Sequence, residues 1–299
     1  MAGISQGRVD AARALTVCAP LLGVAAFALL EWADWGASPD PRASGGGGEL
    51  DVWKFLVAVS VVAWTVLAGV GLRLLREVRA VDRRETALFV AFVLAAIALL
   101  LMAGGVAGLR NPFVMPGQDW KVPLLHVVAG LANVPLLVVL KRIQLLADDD
   151  ASWSTTPADF ASLRALRRTM HTAMGSLGLV IALAVVATGA LREATAAAGL
   201  PPVPDTFVLV YGAWFTGVVA AIYLYVFGAL ERRARAIRDR LAPLAAVQGA
   251  GEAFVASRSL RGELADELEL GGDARQNLEG LLTVLAPLAG ALLTRLGGL

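Results

Sequence analysis

Charge is scarce in this sequence. Only 17% of its 299 residues are Asp, Glu, Lys or Arg, while 57% are hydrophobic. Soluble domains carry about 25% charged residues and under about 50% apolar ones. The formal net charge is +1, so no excess of positive charge calls for nucleic acid. Cysteine is nearly absent: Cys18 stands alone inside an apolar block, which excludes an intrachain disulfide and a cysteine metal cluster. Histidine is limited to His126 and His171, too few and too far apart for an HExxH zinc site. Lysine is limited to Lys54, Lys121 and Lys141 among 26 basic residues. None of the three follows a glycine, so there is no P-loop. That strong preference for arginine is the bias of GC-rich coding and points to a bacterial source.

What is present is concentrated apolar sequence. Six runs are long enough to cross a bilayer, which takes about 20 helical residues. They are Ala14–Trp32, Phe55–Leu72, Ala87–Leu109, Val122–Leu140, Met174–Leu191 and Thr206–Leu230. A backbone in hydrocarbon must satisfy its own hydrogen bonds, so each run is expected to be a helix. The first follows Arg8 and Arg13 as a signal peptide would, but its apolar part is too long and lacks a small-residue cleavage site. The expected fold is all-α: a polytopic six-helix transmembrane bundle with cytoplasmic helical extensions and a short helical C-terminal tail. Residues 1–240 would form the membrane domain and residues 241–299 a cytoplasmic tail.

Orientation follows from arginine. Seventeen basic residues precede span 1, follow span 6 as far as Arg240, or lie between spans 2 and 3 and spans 4 and 5; five lie in the other loops. Basic residues collect on the cytoplasmic side, so both termini are expected there, in the plasma membrane. Trp32, Trp35, Trp53 and Trp120 fall at the outer ends of spans and are expected to form an aromatic belt at the headgroups. The outer loops carry turn chemistry at Asp40-Pro41, Gly45 to Gly48, Asn111-Pro112, Pro116-Gly117 and Pro201-Pro202.

Helix signals also appear on the inner side. Thr156-Pro157-Ala158-Asp159 reads as an N-cap, a proline at the first position and an acid near the positive helix end. From there no breaker occurs before Leu191, which predicts one long helix projecting out of the membrane. Span 6 continues toward Arg240, ahead of Pro243. Arg164, Arg167, Arg168, Arg232, Arg233 and Arg235 would then form a cytoplasmic basic belt at anionic lipid headgroups. Asp148, Asp149 and Asp150 read as an exposed acidic loop in preference to a cation site. In the tail, Glu263–Leu270 is an acidic helix candidate. Ala274–Leu296, apolar but for a narrow polar stripe, is expected to lie at the interface or dock on the bundle.

Span 4 has the clearest polar face: His126, Ala129, Gly130 and Asn133 share one side, with Pro135 just beyond. Polar groups in a bilayer are costly and face the bundle interior. They are expected to serve as interhelical glue or to line a pathway. Ala213, Gly217 and Ala221 on span 6 form a helix-packing face, with Gly178 and Ala182 on span 5 as its candidate partner. Span 3, apolar apart from Gly104, Gly105 and Gly108, is expected to face lipid.

No catalytic constellation emerges. Gly3-Ile4-Ser5-Gln6-Gly7 matches a nucleophile elbow but lacks the strand before it. His126 and His171 sit near opposite faces of the membrane, which rules out a bis-histidine haem within the chain. No cofactor or metal is expected. The leading expectation is a non-enzymatic, oligomeric helical bundle acting as a regulated pore or channel. The alternatives are a carrier for a small or lipid-like solute and an accessory subunit anchoring a membrane partner.

Overall fold

The structure is a computed structural model. It describes residues 2–34, 47–78, 83–106, 121–154, 156–199, 205–243, 252–268, 270, 285–286, 288–289 and 291–292. Among these the chain is all-helical: α1 (Ala2–Asp34), α2 (Gly47–Glu77), α3 (Arg83–Val106), α4 (Lys121–Asp148), a 3-10 turn (Asp150–Ser152), α5 (Pro157–Ala197), α6 (Asp205–Leu241) and α7 (Glu252–Glu267). The apolar parts of α2, α4, α5 and α6 are long and apolar enough to cross a membrane. The apolar stretch described in α1, Ala14–Leu30, is shorter. The described residues therefore establish four membrane-span candidates, against the six expected.

Helix α5 begins as its sequence predicts, with Thr156 at the N-cap and Pro157 at the first helical position. One oxygen of Asp159 accepts the backbone N–H groups of Thr156 (2.8 Å) and Ser154 (3.0 Å). These are the donors a helix start leaves orphaned. Partial burial pushes the Asp159 carboxyl up, but these backbone bonds and the two hydroxyls outweigh it and hold the group below the ordinary carboxylate range. The helix runs 41 residues, about 60 Å at 1.5 Å per residue. It stops at Gly199, whose φ of +71° is open to a residue without Cβ.

Helices α2, α4, α5 and α6 pack against one another around the main core, while α1 leans on α2 and α3 on α4. Leu136, Leu140, Ile143, Met170, Val219 and Leu230 are among its fully buried residues. A smaller cluster at the far end joins Leu30, Leu50, Trp53, Val57, Leu191 and Ala194. Trp53 is only 3% exposed, so it belongs to this core and not to an aromatic belt. Of the other belt residues, Trp35 and Trp120 and the side chain of Trp32 lie outside the described residues. Gly71 lets α2 meet α4 at Pro135: a Cβ there would lie 2.8 Å from the Pro135 Cβ and 3.0 Å from the Leu136 nitrogen. Pro135 sits inside α4 without ending it.

The tail helix begins at Glu252, earlier than the acidic segment alone suggested. Leu268, just past α7, is buried in the main core. The described positions of the terminal segment are helical, and Ala291 is buried in the same core.

Candidate functional site

The polar face of α4 opens onto a cavity inside the bundle. His126, Ala129, Gly130 and Asn133 all line it, facing Val93 and Leu94 of α3, Leu177 and Ile181 of α5, and Phe215 and Ile222 of α6. Its volume is about 60 Å³. A second cavity of about 50 Å³ lies between α2, α4 and α5, lined by Trp53, Ser60, Trp64, Thr188 and Leu191. His126, Ala129, Ala184 and Tyr211 border both spaces.

One hydrogen bond stands in that shared wall. The His126 Nε2 and the Tyr211 hydroxyl are 2.8 Å apart, the imidazole tautomer setting which one donates. The rings meet edge-to-face, 6.1 Å between centroids. Phe215 packs edge-on against Tyr211 at 4.8 Å. His126 thus ties α4 to α6 across 85 residues of sequence.

Most other polar groups here are satisfied within their own helices. Ser60 donates to the Leu56 carbonyl and Thr188 to the Ala184 carbonyl, both at 2.8 Å. Asn133 donates to the Ala129 carbonyl at 2.8 Å. Two groups are left over. The Asn133 Oδ1, on a residue only 9% exposed, accepts no hydrogen bond. The Trp64 Nε1, at the second cavity, donates none. A buried polar atom without a partner costs about 1–3 kcal/mol. One such acceptor belongs to a residue lining the first space and one such donor to a residue lining the second. The space is large enough for water, but a stable buried water needs two to four polar partners. An apolar body with one polar end fits this lining better.

The opposite end of the bundle carries the charge, and the structure corrects its expected role. Arg167 is 4% exposed. It donates to Glu231 of α6 at 2.8 Å and to the Leu268 carbonyl at 2.6 Å. Arg233, also 4% exposed, donates to the Ala147 carbonyl (2.6 Å) and to Asp150 (2.7 Å), with its guanidinium over the Trp153 ring. These two are internal cross-links and do not belong to a belt at the headgroups. Arg164 pairs with Glu267, Arg232 with Asp148 at 3.1 Å and Arg235 with Glu231 at 3.6 Å. Arg168 is exposed.

The aspartates of the α4–α5 connection are likewise committed. Asp148 and Asp150 face arginines, and Asp149 accepts the Ala151 N–H at 3.1 Å. No cluster of metal-ligating side chains occurs among the described residues. Further out, Arg261 of α7 reaches the Ala242 carbonyl (2.7 Å) and Asp239 (2.6 Å). Partial burial raises the Asp239 carboxyl, but Arg238 and Arg261 outweigh it and hold the group low. Lys141 is nearly buried, bonding Gln144 at 2.7 Å and the Tyr225 hydroxyl at 3.2 Å, with Glu85 at 3.5 Å and Phe89 beneath it.

Protein-family models, curated proteins and solved structures offer no match to this chain. Its function is therefore read from geometry alone.

The α6 stripe of Ala213, Gly217 and Ala221 is exposed, and nothing lies within 4 Å of where a Cβ on Gly217 would stand. The expected pairing with Gly178 and Ala182 is not formed: Gly178 is buried inside the bundle while the stripe points out of it. Sequence reasoning found the α4 side of the cavity. It did not place Trp64, Thr188 or Tyr211 there.

Proposed function

We propose that this chain is a multi-pass plasma-membrane protein with six spans and both termini in the cytoplasm, and that it is a non-enzymatic carrier for a small solute with an apolar body. The solute sits at the His126–Tyr211 wall. The single observation behind this reading is the pair of adjoining, mainly apolar cavities with one unspent acceptor, Asn133, and one unspent donor, Trp64. A solute larger than a few heavy atoms needs His126 and Tyr211 to part, which joins the two spaces. Parting leaves two buried polar groups unpaired, at about 1–3 kcal/mol each, a cost that a solute bonding either group offsets.

Straight-chain primary alcohols from ethanol to hexanol are the test probes, because each pairs one hydroxyl with a graded apolar body. Thermal stability of the full chain in detergent is expected to rise with chain length up to the capacity of the site. Asn133→Leu fills the first cavity and removes its acceptor, so it abolishes that dependence. If Asn133→Leu responds to every alcohol as the wild type does, the site is wrong. Transport is read separately, as proteoliposome uptake above the protein-free rate of an amphiphilic solute that lipid alone admits slowly, because these alcohols cross a bare bilayer unaided.

A second reading is an oligomeric, regulated pore formed between copies, with α6 as the contact. The outward-facing Ala213, Gly217 and Ala221 favour it, because small residues let helices approach closely in lipid. Currents at background level in planar bilayers, with or without residues 273–299, would remove it.

A further inference from the structure

The arginines expected to meet lipid headgroups are mostly spent on this chain's own carboxylates and carbonyls. Arg76, in the last turn of α2, is different. Its Nε and Nη2 are both buried and neither has a hydrogen-bond partner. The adjacent carboxylate, Glu77, faces Arg73 at 3.9 Å. Two guanidinium N–H groups held away from water without an acceptor are costly. In native structures such groups mark a bound ion or water.

Two further facts identify what belongs there. Arg142 of α4 places its Nη1 on the Leu75 carbonyl at 3.4 Å, one residue before Arg76, so a second guanidinium stands at the same helix end. The helix that carries the candidate span ends at Glu77, and Arg76 lies about one turn beyond the apolar run Phe55–Leu72, a position that suits the headgroup layer. Arg76 is only part-buried as a whole, which leaves a route for an anion. Guanidinium is planar and matches the paired oxygens of a phosphate.

We propose that Arg76, with Arg142 beside it, forms a binding site for an anionic phosphate group. Its source is either the phosphodiester of an acidic phospholipid or free phosphate. The site is separate from the solute cavities, and it stands or falls independently of them.

Native mass spectrometry of the detergent-solubilised full chain tests it, with phosphatidylglycerol, phosphatidylcholine and inorganic phosphate as probes. Wild-type protein is expected to bind phosphatidylglycerol at least about tenfold more tightly than phosphatidylcholine, and Arg76→Gln to lose at least about tenfold, the worth of a charge-assisted pair. Arg73→Gln should stay within about twofold, since its side chain is 73% exposed. Competition by inorganic phosphate assigns the site to free phosphate, and its absence assigns it to the lipid. Should Arg76→Gln not fold, Arg142→Gln is read the same way. The proposal is overturned if the variant read keeps wild-type affinity for both phosphatidylglycerol and inorganic phosphate, if the two lipids bind alike and inorganic phosphate does not bind, or if Arg73→Gln loses as much as Arg76→Gln.

Discussion

Removing the carboxylate of Glu231 tests how the basic end is held together. Glu231→Leu leaves the Arg167 guanidinium, 4% exposed, without its anion. The carbonyl of Leu268 remains as an acceptor at 2.6 Å. Breaking a buried pair on one side costs about 3–5 kcal/mol. At about 2 °C per kcal/mol for a chain this long, that is a fall of about 6–10 °C in Tm. Arg167→Met paired with Glu231→Leu removes both charges and is expected to recover most of the loss, because apolar replacement of a buried pair is close to neutral. The cycle of single and double variants, followed by thermal unfolding in detergent, should give a coupling of about 2–3 kcal/mol. Losses that simply add in the double variant would refute the reasoning, since they would mean that the two groups do not interact. Arg235→Ala is the internal control. Its guanidinium is 63% exposed and 3.6 Å from Glu231, so about 0.5 kcal/mol or less is expected.

Gly71→Ala should destabilise by about 1–2 kcal/mol, because overpacking against Pro135 and the Leu136 backbone costs more than the roughly 1 kcal/mol gained in helix propensity. Gly262→Ala in α7 meets nothing within 4 Å and should be neutral or stabilising; equal effects at the two glycines would contradict the α2–α4 contact. Asp159→Ala should cost about 1 kcal/mol by freeing the donors at the start of α5. The Asp159 carboxyl is held below its ordinary range in the folded chain, so its contribution is complete above the unfolded carboxylate pKa and is lost as pH falls through the folded value. The gap in Tm between wild type and Asp159→Ala should therefore be constant from pH 7 to 5 and close below about pH 4. A gap that widened on acidification would be the wrong sign.

What could be read from the residues alone was local. Thr156, Pro157 and Asp159 specify the start of α5 within four positions. The apolar runs identify helices, because backbone hydrogen bonding and side-chain periodicity act over i to i+4. The polar stripe of α4 was visible for the same reason. Only the tertiary structure decided what those faces meet. Arg167 finds Glu231 across 64 residues and Leu268 across 101, and His126 finds Tyr211 across 85. Nothing in local spacing distinguishes an arginine left exposed, such as Arg168, from one buried on a carboxylate, such as Arg167, one position earlier. Trp53 was misplaced at an interface because hydropathy gives depth along a helix but not the direction in which a side chain points. Direction depends on which helices pack together, and packing is a property of the assembled bundle.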